Sequence, residues 1–187
     1  MKIYAKRIYI RRLQMDDADQ LLELLIRNKS FLQPLEPLRQ ESYYTLEWQK
    51  ESLEKVQYDW EHDVGYGFGI YLNNGRLIGR VNISNISRGA WESCTIGYLL
   101  DEPLNGQGFM TEAVASAVHY CFNDAGLHRV QSAVMPHNAA SIRVLEKVGF
   151  RYEGFAEYYL KINGNWEHHN IYSMTREYWK PQSRILN

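Results

Sequence analysis

A short segment containing two glycines is the part of this sequence whose residue types most directly suggest chemistry. Asn105-Gly106-Gln107-Gly108-Phe109-Met110-Thr111 follows an apolar run ending at Leu100 and opens directly into a helical pattern. Glycines let the backbone approach a ligand closely, and the free amides and dipole at a helix start favour an anion such as pyrophosphate. The alternative is an ordinary strand-to-helix connection that needs glycine only for its turn. The segment has neither the Gly-Lys-Ser/Thr ending of a Walker A loop nor the GxGxxG spacing of a dinucleotide-binding turn.

A second polar cluster lies about thirty residues further along the chain. Pro136-His137-Asn138-Ala139-Ala140-Ser141 begins a helical pattern that closes with Lys147-Val148-Gly149-Phe150. Asn138 is typical of a helix N-cap, and Ser141 follows one turn later on the same face. Since a mid-helix serine usually bonds back to a carbonyl, residue type alone gives both positions a structural explanation.

Together the two segments resemble the GNAT superfamily of acyl-CoA-dependent N-acyltransferases. Gly106 and Gly108 match the glycines of the family's Q/R-x-x-G-x-G/A pyrophosphate loop, although Pro103 replaces its first residue. The later motif matches at Asn138, Ser141, Lys147, Gly149 and Phe150. The similarity spans nearly the whole chain and is greatest to the branch containing ribosomal-protein alanine N-acetyltransferases. Many members of that branch have Trp-x-Asp-His in the tail, where this sequence has His168 in place of the aspartate.

The resemblance implies acetyl-CoA as co-substrate. The pantetheine arm is expected between two splayed strands, bonded to the backbone of Leu99 and Leu100 and to the amide of Asn138. By the same resemblance, the hydroxyl of Ser141 protonates the departing CoA thiolate. The pyrophosphate is expected on the loop residues Asn105, Gly106, Gln107, Gly108, Phe109, Met110 and Thr111.

The residue that accepts the proton of the attacking amine is not evident from the sequence. The amine must be neutral to attack, so a carboxylate or an ordered water must take its proton. Glu157 and Glu167, near the last hairpin, and Glu102, beside the glycine loop, are candidates, and each also fits a solvated surface acid. Arg143 and Lys147 are candidates for contacts with the CoA phosphates, although exposed helix positions commonly carry such residues for solubility.

The hydrophobic pattern predicts one mixed α/β domain over residues 1–187, in the order β-α-α-β-β-β-α-β-α-β-β. The sheet is expected to be mostly antiparallel, with about seven strands and four flanking helices, which is the GNAT fold. Asp16 and Asp17 are expected to cap the first helix, and 28–37 to form a break after it. Apolar stripes place helices near 18–25, from Ser42 to 60, near 113–122 and near 142–148, and alternation places strands near 8–13, 68–72, 77–86, 91–100, 131–135, 152–162 and 166–175.

Composition narrows the class of protein. The 187 residues carry 21 basic and 22 acidic side chains, which gives no overall field for stable nucleic-acid or membrane binding. No apolar run is long enough to span a bilayer and no signal peptide is evident, so a cytoplasmic protein is expected. Two cysteines fit a reducing compartment, and the six histidines lack metal-ligand spacing, so no metal is expected.

The sequence therefore predicts direct acetyl transfer from acetyl-CoA to a primary amine through a tetrahedral intermediate. By resemblance, the expected acceptor is the N-terminal α-amine of a protein, with a ribosomal protein as one candidate. Two alternatives stay open at this point: a small amine such as a polyamine, amino acid or antibiotic as acceptor, and a CoA-binding module without catalysis. The protein is expected to be a monomer or a homodimer.

Overall fold

Eight strands form one sheet in the computed structural model, which describes residues 1–180. Five α-helices pack on its two faces or connect its strands. The strands are β1 (Lys2–Tyr4), β2 (Ile8–Arg12), β3 (Tyr66–Leu72), β4 (Leu77–Ser87), β5 (Ser93–Leu100), β6 (Arg129–Val134), β7 (Arg151–Ile162) and β8 (Asn165–Thr175). The helices are α1 (Ala18–Arg27), α2 (Lys29–Leu32), α3 (Leu46–Glu61), α4 (Phe109–Asn123) and α5 (Ala139–Val148).

The strand order is β1-β2-β3-β4-β5-β6-β8-β7, and every neighbouring pair is antiparallel except β5 and β6. The parallel pair is joined by α4, as a crossover connection requires. Its register runs only from Ser93 to Thr95 on β5, against Arg129 to Gln131 on β6. Because both strands continue beyond that register without pairing, the sheet divides there into a fork.

The two faces of the sheet carry separate cores. On one face, α4 and α5 bury residues such as Ile96, Val118 and Leu145. On the other, α1 and α3 bury residues such as Leu25, Leu53 and Tyr71. The fork therefore opens from one helical layer to the other through the middle of the sheet.

The predicted fold class is confirmed, and the element count is slightly low. The extra strand is β1, whose three residues are too few for an alternation to be recognised. The extra helix is α2, a single turn inside the predicted break at 28–37, which ends before Pro34 as proline requires. The helix predicted from Ser42 begins at Leu46, where Thr45 Oγ1 accepts from the Trp48 amide at 3.3 Å, because a 3₁₀ turn occupies Glu41–Tyr44.

Asp17 occupies the predicted N-cap position of α1, but its side chain binds elsewhere. Its carboxylate accepts two hydrogen bonds from the Arg11 guanidinium, at 2.7 and 2.8 Å, and one from the Gln14 amide at 2.8 Å. It makes no capping bond to α1. The residue joins the end of β2 to the first helix through a partly buried ion pair.

A buried carboxylate also joins the glycine loop to the first helical layer. Asp101, which follows β5 directly, has no exposed surface. It accepts from Arg27 at 3.0 and 3.1 Å, from Arg76 at 2.8 Å and from the Asn28 side chain at 2.9 Å. The Asn28 side chain in turn accepts from the Glu102 amide at 2.8 Å. This cluster fixes the start of the loop against the junction between α1 and α2.

No helix within residues 1–180 is long and apolar enough to cross a membrane. In the same range, no group of three His, Cys, Asp or Glu side chains is placed to hold a metal ion.

Candidate active site

The fork between β5 and β6 opens into a cleft of about 430 Å³. At one end it is bounded by the glycine loop and α5, and at the other by the segment around α2. The residues that line it include Leu32, Glu36, Arg39, Arg80, Tyr98, Leu99, Leu100, Asn105, Gly106, Gly108, Met110, Thr111, Met135, Asn138, Ser141, Arg143, Lys147 and His169. The structure thus brings the predicted loop, Asn138 and Ser141 into one cavity.

The glycine loop presents a row of free backbone donors to this cavity. Gly106 and Gly108 have φ of +77° and +86°, which is the left-handed region that favours glycine. The Glu112 amide is the first of α4 to donate within the helix, to the Gly108 carbonyl. In the described chain, the amides of residues 106–111 donate to no other protein group. Six consecutive free amides at a helix N-terminus are donors of the kind that suits an anion, which is the role predicted for the loop.

The Gln107 side chain closes the loop by donating to the Pro103 carbonyl at 3.0 Å. Pro103 therefore takes part through its backbone, which the missing Gln or Arg at that position does not affect.

A Gly108→Ala variant is expected to bind CoA about tenfold more weakly, because a left-handed alanine costs about 1–2 kcal/mol and the loop relieves that strain by turning its amides. The added Cβ also lies only 3.1 Å from Arg7 Nη2. Isothermal titration with CoA measures the change. Gly89→Ala is the matched control: its φ is +70° with open space around the Cβ, in the connection between β4 and β5. Equal CoA affinity in the two variants would contradict the assignment of the loop.

The backbone of β5 offers a second set of polar groups at the open edge of the fork. The Ile96 carbonyl accepts from Ser132 Oγ of β6 at 3.2 Å, so it points into the fork. Successive residues of a strand point their backbone groups to opposite edges. The backbone groups of Tyr98 and Leu100 therefore also point into the fork. The Leu99 carbonyl points to β4, where it lies 2.5 Å from a Cβ built on Gly79. Of the two predicted backbone contacts, Leu100 is at the open edge, whereas Leu99 lines the cleft with its side chain.

Asn138 and Ser141 are coupled at the start of α5. The Asn138 side-chain oxygen caps the helix by accepting from the Ser141 amide at 3.1 Å, so its NH₂ group stays available on the cleft side. The structural and the ligand-binding explanation of Asn138 thus use different atoms of one side chain.

Tyr98 is a site residue that the sequence analysis missed. Its hydroxyl lies 2.9 Å from Ser141 Oγ and 3.3 Å from the Ser141 carbonyl. Burial raises the pKa of Tyr98 to about 12, although the hydrogen bond with Ser141 lowers it. The phenol therefore keeps its proton at neutral pH and can donate it to the serine oxygen. A single tyrosine in a strand of mostly apolar residues carries no sequence signal for this contact.

The far end of the cleft carries charges of both signs. Glu36 and Arg39 form a loose ion pair at 3.3 Å. Arg80 donates to the Tyr43 hydroxyl at 3.0 Å, and the Arg39 guanidinium lies over the Tyr43 ring at 4.7 Å. A carboxylate and two guanidinium groups around an aromatic ring suit an amine flanked by peptide carbonyls. The sequence does not predict these residues as part of the site, because they meet only through the sheet register and the turn after α2.

The three acidic residues predicted as bases lie elsewhere. Glu157 is exposed in a bulge of β7, Glu167 is half-buried on β8, and Glu102 is exposed in the turn before the glycine loop. None of the three is among the residues that line the cleft. Their role in proton transfer stays a prediction.

His168, which replaces the family's aspartate, points away from the neighbouring His169, as alternation along a strand requires. Its Nδ1 accepts from the Tyr158 amide at 3.0 Å, and its ring contacts Tyr158 and Phe155. It therefore supports the bulge of β7.

Residues 7–151 match the model of the acetyltransferase (GNAT) domain. The probable N-acetyltransferase YjcK of Bacillus subtilis is 44% identical over 89% of this chain and 92% of its own length. The ribosomal protein uS5-alanine N-acetyltransferase of Escherichia coli is 32% identical over 97% of this chain and 94% of its own length.

Solved structures give the same result. The ribosomal-protein-S5-alanine acetyltransferase of Vibrio fischeri superposes with a TM-score of 0.90 at 33% identity, over 97% of this chain and all of that chain. RimJ of Mycobacterium smegmatis, in complex with CoA-disulfide, has a TM-score of 0.90 at 28% identity, over 95% of this chain and 88% of that one. Since a whole-domain match, a shared fold and a cleft with the glycine loop at one end all agree, the chain belongs to the GNAT family of acetyl-CoA-dependent N-acetyltransferases.

Proposed function

We propose that this N-acetyltransferase modifies the N-terminal α-amine of a protein, with a ribosomal protein as the leading candidate, in the cytoplasm. One observation supports this acceptor above all: a single continuous cleft joins the glycine loop to an open, charged end at Glu36, Arg39 and Arg80. The segment 33–40 along that end is largely exposed. The rest of a peptide whose N-terminus is bound in the cleft therefore has room to extend into solvent. The uS5-alanine N-acetyltransferases, similar in sequence and structure, are named for an alanine of a ribosomal protein as acceptor.

The residues of the cleft fit acetyl-CoA along its length. The free amides of 106–111 match the pyrophosphate, and Arg143 and Lys147 of α5 line the same end of the cleft for further phosphate contacts. The Asn138 NH₂ group and the edge of β5 at Leu100 are placed to bind the pantetheine arm. The acetyl group then lies at the fork, where the backbone of Tyr98 and Leu100 faces the thioester carbonyl and stabilises charge on its oxygen.

Acetyl transfer requires the amine and the thioester to meet, and the cleft has room for both. The amine enters from the end near α2 and attacks the thioester carbon, and the fork holds the two reacting atoms together. As the C–S bond breaks, Ser141 Oγ protonates the thiolate from the α5 side. Tyr98, hydrogen-bonded to that oxygen, supplies a proton to it.

An acceptor screen tests the proposal. Peptides with free N-termini taken from ribosomal proteins are compared with polyamines, amino acids and aminoglycosides at equal concentration, and released CoA is measured with a thiol reagent. We expect acetylated peptide, with the acetyl group placed on the α-amine by mass spectrometry. The same peptides with blocked N-termini and an internal lysine are the control and are expected to stay unmodified. Turnover confined to small amines would contradict the protein acceptor.

A further inference from the structure

We infer that His169 is the general base that takes the proton of the attacking amine. Only 3% of this residue is exposed, yet it lines the reaction cleft. Within residues 1–180, His169 forms no ion pair with an acidic side chain. A buried imidazole in a reaction cleft is a common arrangement for a proton acceptor.

The side chain lies on the face of the sheet from which the amine arrives. Tyr172 and Met174 of β8 pack in the core under α4 and α5. Because side chains alternate along a strand, His169 points to the opposite face, the one that also carries Leu99 and Arg80. Ser141 reaches the fork from the α4 and α5 side. The proposed base and the proposed acid therefore act from opposite sides of the fork, one on the nitrogen and one on the sulfur.

The hydrogen bond to His169 determines which of its nitrogens can accept a proton. Nδ1 lies 3.0 Å from the Glu167 carbonyl oxygen. A carbonyl only accepts, so this bond requires a proton on Nδ1, and the neutral ring then has its lone pair on Nε2. Glu167, predicted as the base itself, thus contributes through its backbone by fixing the tautomer.

The bulge in β7 holds the ring in place. Ala156 pairs with His169 and Leu160 with Glu167, so three residues of β7 oppose His168 alone. The His168 imidazole accepts the Tyr158 amide inside this bulge, and the Tyr159 ring lies 5.6 Å from the His169 ring. The orientation of His169 is therefore set by its neighbours on both strands of the hairpin.

The charged and titratable groups around His169 come from several elements. Tyr159 belongs to the facing strand. The same cleft is lined by Glu36 and Arg39 from the segment after α2, Arg80 from β4, Tyr98 from β5, and Arg143 and Lys147 from α5.

The proton and electron balance of the step is complete. The neutral amine forms the C–N bond at the thioester carbon, and the proton that the nitrogen loses passes to His169 Nε2. The C–S bond breaks with its electron pair on sulfur, which takes the proton of Ser141 Oγ. Tyr98 passes its proton to the serine oxygen, and solvent carries the proton of the imidazolium back to Tyr98, so amine and acetyl-CoA give amide and CoA thiol.

The test is the pH dependence of kcat/KM for His169→Gln, measured with whichever amine the acceptor screen identifies. This inference rests on the acetyl transfer proposed above but not on the class of amine. Wild-type log kcat/KM is expected to fall with a slope of two at acid pH, because both the α-amine and an imidazole must be unprotonated. In His169→Gln we expect a slope of one and a kcat/KM lowered by about 100-fold near neutrality, the lower end of what a general base contributes, with CoA affinity unchanged.

Matched variants make the result specific. His62→Gln, at the exposed end of α3, is expected to behave as wild type, and imidazole added to His169→Ala is expected to restore part of the rate. A wild-type profile in His169→Gln, or loss of the second limb in Glu157→Gln or Glu167→Gln instead, overturns the assignment. If the His169 variants do not fold, the wild-type enzyme still gives a test: with peptides of different amine pKa, one acid limb must move and a second must stay in place, and a single limb that moves with the amine overturns the assignment. A screen in which no peptide is acetylated removes the proposed protein acceptor and leaves this test to be run on a small amine.

Discussion

Replacing Ser141 by alanine is expected to lower kcat by about 100- to 1,000-fold, the contribution of a positioned general acid. The CoA thiolate is the leaving group, and protonation as the C–S bond breaks prevents the intermediate from returning to thioester and amine. Affinity for acetyl-CoA is expected to stay within about twofold, because the ligand is held mainly by the loop amides and Asn138. The Asn138 cap is also retained, since it uses the backbone amide of residue 141.

The contact with Tyr98 makes this prediction more specific. Without the Ser141 hydroxyl, the phenol loses its 2.9 Å partner but keeps the carbonyl of residue 141 at 3.3 Å. Tyr98→Phe, which leaves the serine in place, is expected to lower kcat by a smaller factor, about tenfold, which is less than the roughly 100-fold or more that a direct general acid contributes. The double variant is expected to be no slower than Ser141→Ala alone, because the tyrosine acts through the serine.

Single-turnover kinetics with saturating acetyl-CoA measures the effect, and titration calorimetry measures the affinity. Ser84→Ala, exposed on β4, is the control for loss of a hydroxyl. If Ser141→Ala retained the wild-type kcat, the acid would have to be a different group. If the double variant multiplied the two single effects, Tyr98 would act independently of Ser141.

The glycine loop could be predicted from the sequence because its chemistry is local. Two glycines beside a helix start are enough to expect left-handed turns and free amides, and φ of +77° and +86° confirm the turns. The same holds for Gly149, the left-handed end of α5, and for the Asn138 cap. Each of these features depends on a few neighbouring residues and their backbone preferences.

The rest of the site depends on distant parts of the chain. Tyr98 meets Ser141 across 43 residues of sequence, because β5 and α5 converge only after the β5–β6 pairing ends at Thr95. The charged end of the cleft combines Glu36, which precedes α3 in the sequence, with Arg80, which follows it. In the sequence, His169 is one of six histidines without metal-ligand spacing. Nothing in its local pattern shows that the odd-numbered face of β8 opens into the cleft.

Asp101→Ala is expected to reduce the free energy of unfolding by about 2–4 kcal/mol, somewhat below the usual cost of breaking a buried ion pair. The carboxylate is fully buried, and its removal leaves the donors of Arg27, Arg76 and Asn28 without their acceptor. Both arginines keep access to water, with 37% and 52% of their side chains exposed, which moderates the loss. Asn28 is 1% exposed and cannot turn to solvent.

Thermal unfolding measures this loss, and a fall in Tm of about 5–12 °C is expected for a domain of this size. Asp19→Ala, exposed on α1, is the matched control and is expected to shift stability by no more than about 0.5 kcal/mol. Asp101→Asn, which keeps an acceptor oxygen but not the charge, is expected to fall between the two. Equal Tm values for Asp101→Ala and Asp19→Ala would show that the cluster is not needed for stability.

The ion pair also predicts how stability depends on pH. Burial alone raises the pKa of Asp101, but the ion pair with Arg27 and the hydrogen bond from Asn28 outweigh it, so the pKa lies below its ordinary value. A carboxyl group with a lowered folded-state pKa contributes stability that is complete above the unfolded-state pKa, near 3.9, and is lost as the pH falls toward the folded-state value. The stability difference between wild type and Asp101→Ala is therefore expected to be constant from about pH 5 upward and to shrink in acid.

The same cluster connects stability to the two ends of the cleft. Asp101 precedes the loop that carries the free amides, and Asn28 precedes α2 at the acceptor end. A change at Asp101 therefore moves the glycine loop and α2 relative to each other, although Asp101 contacts neither substrate. At a temperature where Asp101→Ala is still folded, KM is expected to rise for acetyl-CoA and for the amine together. A rise for one substrate alone would mean that the cluster supports only that wall.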